Sequence, residues 1–261
     1  MVAHSAPPVL ISYPKSGRTW FRFIFDLAGV DMTYNHSRRD GTPLLDVANG
    51  SWGIFLYRNP IDSAVSHFFH LNHHKFRPGT WRHFKASLAG TLPPRAIVTF
   101  LADERYGVRS ICNYVRGWLD YLDGREEFLK VTYEEMRTTP VETLRSVLHH
   151  VDPATAHDVE ALVEQSAFKR MRSVEDTGER ASVLRLGHKK KSDPDSRIVR
   201  KGKIGGYRDY LSEADQRHYE EICAGFGLYA AGLEAGSALT LTGDSEPVAL
   251  PEGLPRVGRR E

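Results

Sequence analysis

"VLISYPKSGRTWFRFIF", residues 9–25, is the stretch from which the fold is read. Val9 to Ser12 is a short β-like run, and Pro14, Ser16 and Gly17 make the turn that follows it. Trp20, Phe21, Arg22, Phe23, Ile24 and Phe25 then continue in a helical pattern. Strand, tight turn and helix is a geometry that aims backbone N–H groups and the positive end of a helix at an anion. Ser16 and Thr19 add hydroxyl donors and Lys15 a point charge. The nucleotide-triphosphate loop G-x-x-x-x-G-K-[ST] keeps its lysine after the last glycine. Here Arg18 follows Gly17, and the first glycine is missing. Loop chemistry therefore leaves two readings open, a phosphate-type site or a plain βα turn with solvated Lys15 and Arg18.

Outward from this stretch, apolar β-like runs recur at 53–57 and 127–132. Helical periodicity covers 18–28, 60–71 and 108–123, the last placing Ile111, Tyr114, Val115, Trp118, Leu119 and Leu122 on one face. Further helices are read near Pro140 (with Leu144, Val147 and Leu148 inward), over 154–165 and over 212–225. Short strands alternating with helices predict an α/β fold, a mostly parallel central sheet with helices on both faces. The charged, weakly periodic segment 173–206 reads as a long functional loop. Residues 1–234 are expected to form one domain, and the Gly-, Ala-, Pro- and Ser-rich stretch 235–261 a poorly ordered tail.

A chain of 261 residues with 26% charged side chains suits one large domain. The net charge of +2 is too mild for a general nucleic-acid binder but leaves room for a local anion site. Two cysteines make no disulfide framework, and the N-terminus carries no secretory pattern, so a cytoplasmic location is expected. No apolar run approaches a membrane helix, so no membrane insertion is expected.

Two more stretches carry chemistry. In "LYRNPIDSAVSHFF", 56–69, Asn59 is a good N-cap, Pro60 belongs at the first helical position and Asp62 suits the first turn. Arg58 has no such explanation. It stands at a strand end, where ligands of open α/β sheets bind, and its side chain can grip a phosphate through two bonds. In "RKGKIGGYRDYLSEAD", 200–215, Arg200, Lys201 and Lys203 are interleaved with glycines. Glycines there would let the backbone approach an anion, but taken alone that stretch reads as a solvated basic turn before the last helix rather than as an anion loop.

Together the three stretches resemble the sulfotransferase family that uses 3′-phosphoadenosine 5′-phosphosulfate. "YPKSGRTW" is similar to its phosphosulfate loop, "YRNPIDSAVSHFF" to its 3′-phosphate motif and "RKGKIGGYRDYLS" to its late phosphate loop. "NHSRRDG", "VTYEEMRTTP" and "SAFKRMRSVE" match more weakly, in the right order, and the likeness spans about residues 9–223. The resemblance implies a P-loop-like strand–loop–helix in which Lys15, Ser16, Gly17, Arg18 and Thr19 wrap the phosphosulfate. It puts Trp20, Tyr133, Ser166 and Phe168 around the adenine, and Arg58, Ser66, Arg200, Lys201 and Gly202 at the 3′-phosphate. It also implies Lys15 at the leaving oxygen and His36 as the base that deprotonates the acceptor. In two places the chain departs from the pattern: Arg18 replaces a threonine of many animal members, and Tyr34 replaces a lysine two residues before the base.

The implied activity is transfer of a sulfonate to a hydroxyl or amine of a small acceptor (a phenol, alcohol, sugar or lipid hydroxyl), with no metal. The segments 37–51 and 72–95 are expected to shape the acceptor pocket, and aromatic and His content there (Phe76, Trp81, His83, Phe84) leans toward an apolar or aromatic hydroxyl over a bare sugar. His67, His70, His73 and His74 tempt a zinc reading, but no Glu follows His70 to make H-E-x-x-H. A nucleotide or small-molecule kinase is the alternative enzyme; it would need the missing G-x-x-x-x-G-K-[ST] and a metal carboxylate. A non-catalytic nucleotide binder would be expected to lack Lys15 or His36, and both are present.

Overall fold

The computed structural model describes residues 6–36, 51–179, 197, 199–200 and 202–228. Four parallel strands form one sheet: β1 (Val9–Ser12), β2 (Thr33–Asn35), β3 (Gly53–Tyr57) and β4 (Phe128–Thr132), in the order β2-β1-β3-β4. Leu10 lies opposite Tyr34 on one side and Ile54 on the other, and Leu56 lies opposite Val131.

The helices are α1 (Arg18–Ala28), α2 (Pro60–His70), α3 (Trp81–Leu88), α4 (Ile97–Ala102) and α5 (Val108–Tyr121). They continue with α6 (Tyr133–Thr138), α7 (Pro140–Val151), α8 (Val159–Gln165), α9 (Phe168–Thr177) and α10 (Glu213–Gly225). Strand side chains alternate between faces with a period of two. Val9, Ile11, Phe55 and Phe128 accordingly join a core with Ile61, Val65, Ile111, Val115, Trp118 and Tyr219 from α2, α5 and α10. Leu10, Ile54, Leu56 and Val131 join the opposite core with Phe21, Ile24, Leu144, Val147 and Leu162 from α1, α7 and α8. Burial on both faces is why the strands read as continuous apolar runs. The expected α/β architecture is the one found.

The expected inward faces of α5 and α7 are also found: Trp118 stacks on Phe55 with ring centroids 5.9 Å apart. Other expectations are corrected. The segment 173–177 is not loop but the last half of α9, which buries Met171 and Val174 against Phe23. The helix expected over 154–165 begins only at Val159, where the Asp158 side chain accepts the Ala161 amide at 3.0 Å. β2, α3, α4 and α6 escaped the sequence reading because each is too short to develop a period. The remainder of the expected loop over 180–196 and the tail 235–261 lie outside the described residues, as does Lys201.

Cys112 on α5 and Cys223 on α10 are buried free thiols whose sulfurs are 3.7 Å apart, a packing contact rather than a bridge. Among the described residues no helix is long and apolar enough to cross a membrane.

Candidate active site

The strand order reverses direction between β1 and β3, and ligands of doubly wound sheets bind at such a point, beyond the carboxyl ends of the strands. Here all four carboxyl ends contribute to one cavity of about 280 Å³. Pro14, Lys15 and Gly17 follow β1, His36 follows β2, Arg58 follows β3 and Tyr133 follows β4, and all of them line it.

The loop after β1 is bent in an unusual way. Lys15 adopts φ +77, a left-handed conformation that costs a non-glycine residue on the order of 1 kcal/mol. Gly17 follows at φ +103, and a Cβ placed on it would come within 2.7 Å of the Tyr133 ring. Gly17 is also the N-cap of α1, so no side chain caps this helix and no acid sits in its first turn. Its first amides are thus left to the cavity side. Arg18, Thr19, Trp20 and Arg22 continue the wall. The Trp20 indole packs edge-on against Tyr133 at 6.0 Å, and its buried N–H has no hydrogen-bond partner among the described residues.

The second wall is a stripe on α2. Asp62, Ser66 and His70 recur every four residues, one above another, and prolong the line begun by Arg58. The Arg58 guanidinium lies 4.3 Å over the Tyr133 ring, donates to the Lys203 carbonyl at 3.0 Å and approaches Asp62 at 3.4 Å. Burial pulls its pKa down, but the charge of Asp62, with Tyr133 and Glu134, outweighs this and holds it above the ordinary value. Beneath it burial raises the Tyr133 hydroxyl and the Glu134 carboxyl, with Arg58 opposing both shifts.

Asp62 does more than suit a helix start. Its two oxygens accept the backbone amides of Gly205 at 2.8 Å and Tyr207 at 3.0 Å, pinning the late basic loop to α2. That pin brings Arg200, Gly202, Lys203 and Gly206 to the cavity from more than 130 residues along the chain. Gly202 turns at φ +60, and a Cβ there would lie 2.4 Å from the Phe168 ring. The Arg200 guanidinium stands 4.4 Å over Phe69 and donates to the Tyr210 hydroxyl. Glycine at 17 and at 202 therefore lets two aromatic rings of the cavity wall close flush on two loops.

His36 has a defined orientation. Its Nδ1 is 3.1 Å from the Ser12 carbonyl, which can only accept, so Nδ1 carries the proton. Nε2 consequently offers a lone pair, and the Arg18 guanidinium donates to it. The His36 carbonyl accepts from the Tyr114 hydroxyl at 3.0 Å. Tyr34 packs beneath the Arg22 guanidinium, which lies 4.3 Å over its ring, and burial raises the tyrosine pKa.

Of the residues singled out in the sequence, Lys15, Gly17, Arg18, Thr19, Trp20, His36, Arg58, Ser66, Tyr133, Ser166, Phe168, Arg200 and Gly202 meet around this cavity. Ser16 is buried in the loop and does not line it. His70, from the helix face expected near the acceptor entrance, lines it, and Arg22, Asp62, Arg137 and Met171 line it without having been expected. A usable signal existed for two of these four: Arg22 is four residues from Arg18, and Asp62 precedes Ser66 at the same interval. Of the two segments expected to shape the acceptor pocket, 37–50 lies outside the described residues, and the side chains singled out in 72–95 stand apart from this cavity. Phe76 packs in the protein interior, Trp81 and Phe84 point to solvent, and none of them, nor His83, lines the cavity. His67 is buried, 3.4 Å from the Tyr13 hydroxyl, and no group of three or more potential metal ligands forms among the described residues.

Comparison with known proteins agrees with this geometry. The sulfotransferase domain family matches residues 53–237, which leaves the loop after β1 outside the matched range. Human sulfotransferase 1C2 is 28% identical over 175 residues, 65% of this chain and 52% of its own, so that match spans about half of the relative. Rat sulfotransferase 1C2 is 22% identical over 82% of this chain and 80% of its own. Among solved structures, a mouse sulfotransferase complexed with PAP superposes with a TM-score of 0.61 at 20% identity, over 86% of this chain and 84% of its own. Retinol dehydratase in complex with androsterone and PAP superposes with a TM-score of 0.55 at 14% identity, over 87% and 82%.

Proposed function

The chain belongs to the sulfotransferase family, and from that premise we propose that it moves a sulfonate from 3′-phosphoadenosine 5′-phosphosulfate to a hydroxyl or amine of a small acceptor. The observation that carries the reading is the pairing of two separate anion-seeking edges on one cavity. One is the uncapped start of α1 with Lys15; the other is Arg58 with the Asp62-pinned loop of Arg200 and Gly202. A nucleotide phosphorylated at both 5′ and 3′ positions has a group for each edge, whereas ATP has none for the second.

The residues present fit that donor. Gly17 and Gly202 let the two loops close on Tyr133 and Phe168, and both rings line the cavity, where they offer aromatic surface to a base. The Trp20 N–H is available beside it. In this reading Lys15 to Thr19 hold the 5′ end, and Trp20, Tyr133, Ser166 and Phe168 hold the adenine. Arg58, Ser66, Arg200, Lys201 and Gly202 hold the 3′-phosphate.

The donor supplies an activated sulfonate; the chain orients it and manages one proton. His36 Nε2 takes the proton of the acceptor hydroxyl as its oxygen bonds to sulfur, and Lys15 stabilises the charge left on the departing phosphate oxygen. For this Arg18 must yield the Nε2 lone pair to the acceptor. Arg22, held over Tyr34, supplies a second cation on the same wall. Residues 1–234 act as one domain, the reaction is cytoplasmic, and the acceptor is a small molecule. Calorimetry tests the reading: PAP should bind more tightly than AMP by about tenfold to a hundredfold, the scale of one charge-assisted site. Arg58→Ala should remove most of that margin, and equal affinities in the unaltered protein would overturn the assignment.

A further inference from the structure

Between Asp62 and Asp103 the chain contains no Asp or Glu, but it contains Lys75, Arg77, Arg82, Lys85 and Arg95. α3 lies in the middle of this basic stretch. Its only buried residue is Ala86, which packs with Leu71, Phe76, Phe100 and Tyr106 and ties the helix down by one face. The opposite face carries Trp81, Phe84 and Leu88, at helical spacings that align them. They are 68%, 50% and 75% exposed. Trp81 and Phe84 stack at 5.4 Å, and the Lys85 ammonium lies 5.3 Å from the Trp81 ring.

Scattered exposed apolar side chains need no explanation. Here, of the four large ones that the described residues expose, three share this helix and the fourth, Val98, lies on the next. A compact apolar stripe flanked by Lys85, within a stretch of chain that has cations and no acids, is an unpartnered surface. We propose that α3 is a peripheral contact for an anionic lipid surface, with Trp81, Phe84 and Leu88 entering the headgroup boundary and Lys85, with Arg77 just before the helix, facing the phosphates. The charge decides between occupants. A second copy of the chain would bring the same uncompensated cations face to face, which is repulsive. An anionic interface relieves them and accepts tryptophan at its boundary. A π-helical turn, Leu71–Lys75, joins this surface to His70 at the cavity wall. The docking stands independently of the reaction.

The test is sedimentation of the full chain with phosphatidylcholine vesicles, with and without phosphatidylglycerol. Binding should require the anionic lipid and weaken as salt rises. Arg77→Glu with Lys85→Glu should lower partitioning on the order of tenfold or more. Trp81→Ser with Phe84→Ser should lower it comparably, and since both rings are exposed the thermal melt should not move. Absence of binding at low salt, binding indifferent to lipid charge, or unchanged binding by either double variant overturns the proposal. So does a dimer abolished by Trp81→Ser with Phe84→Ser in a protein that ignores vesicles, which would make a second copy the occupant.

Discussion

The two strand-to-helix junctions at the heart of the molecule solve the same problem in opposite ways. Each must deal with the unpaired amides at a helix start. At β3–α2 the chain satisfies them itself: the Asn59 side chain accepts from Ile61 at 2.9 Å and Asp62 at 3.1 Å, with Pro60 at the first position. At β1–α1 it does not, since Gly17 has no side chain to offer and the turn is reached through a left-handed Lys15. The finished junction serves as a platform for side chains, namely Arg58, Asp62 and Ser66. The unfinished one offers backbone. An uncapped helix start on a strained turn is an expense of stability that a bound anion offsets.

The largest expected effect breaks the unfinished junction. Lys15→Ala should depress turnover by about a hundredfold or more with every acceptor, the scale of losing one group that stabilises transition-state charge. Lys15→Gly should depress it equally while melting higher than Lys15→Ala, because glycine has no penalty at φ +77. His36→Ala should also cost about a hundredfold, but the loss should shrink with acceptors acidic enough to ionise unaided. Steady-state kinetics across acceptors of graded acidity checks all three. Equal losses across that series for His36→Ala would remove it as the base.

How far this contrast could be read in advance differs between the two junctions. Asn59, Pro60 and Asp62 spell a helix start in one dimension, because a cap is a local device. The loop at 14–17 was legible as a turn, but that Gly17 must lie flush on Tyr133 depends on a residue more than a hundred positions away. The same limit hid the pinning role of Asp62. Its first-turn position explained it locally, and nothing local announced that Gly205 and Tyr207 would donate to it. The sheet was legible because apolar runs buried on both faces leave few alternatives. β2 was not, being three residues whose burial is only partial. The exposure of Trp81 and Phe84 could not be read in advance, because composition cannot tell an aromatic that lines a pocket from one that faces solvent.

A middle-sized effect sharpens the comparison through Asp62. Asp62→Asn keeps the shape but replaces one accepting oxygen by a donor aimed at a backbone amide, and it removes the charge beside Arg58. A buried hydrogen bond left unmade costs about 1–3 kcal/mol. PAP affinity should therefore fall roughly tenfold, and amide exchange should rise at Gly205 and Tyr207, although neither is a phosphate ligand in this reading. Unchanged exchange at those two amides would show that the late loop is held by something else.

The smallest effect is expected where the finished junction is damaged without touching its platform. Asn59→Ala removes the acceptor of two first-turn amides, a loss of about 1 kcal/mol, which lowers the melting temperature of a chain this size by about 2–4 °C. Arg58 should stay in place all the same, because its guanidinium is held by Asp62, by the Lys203 carbonyl and by the Tyr133 ring rather than by the cap. PAP affinity should then change by less than about twofold, well under the 1.4 kcal/mol that a tenfold change represents. Melting curves and calorimetry on one preparation give both numbers. A melting shift without an affinity shift is the signature of a junction that completes itself. If affinity instead falls tenfold, the α2 amides are themselves part of the anion site, and the two junctions differ in degree and not in kind.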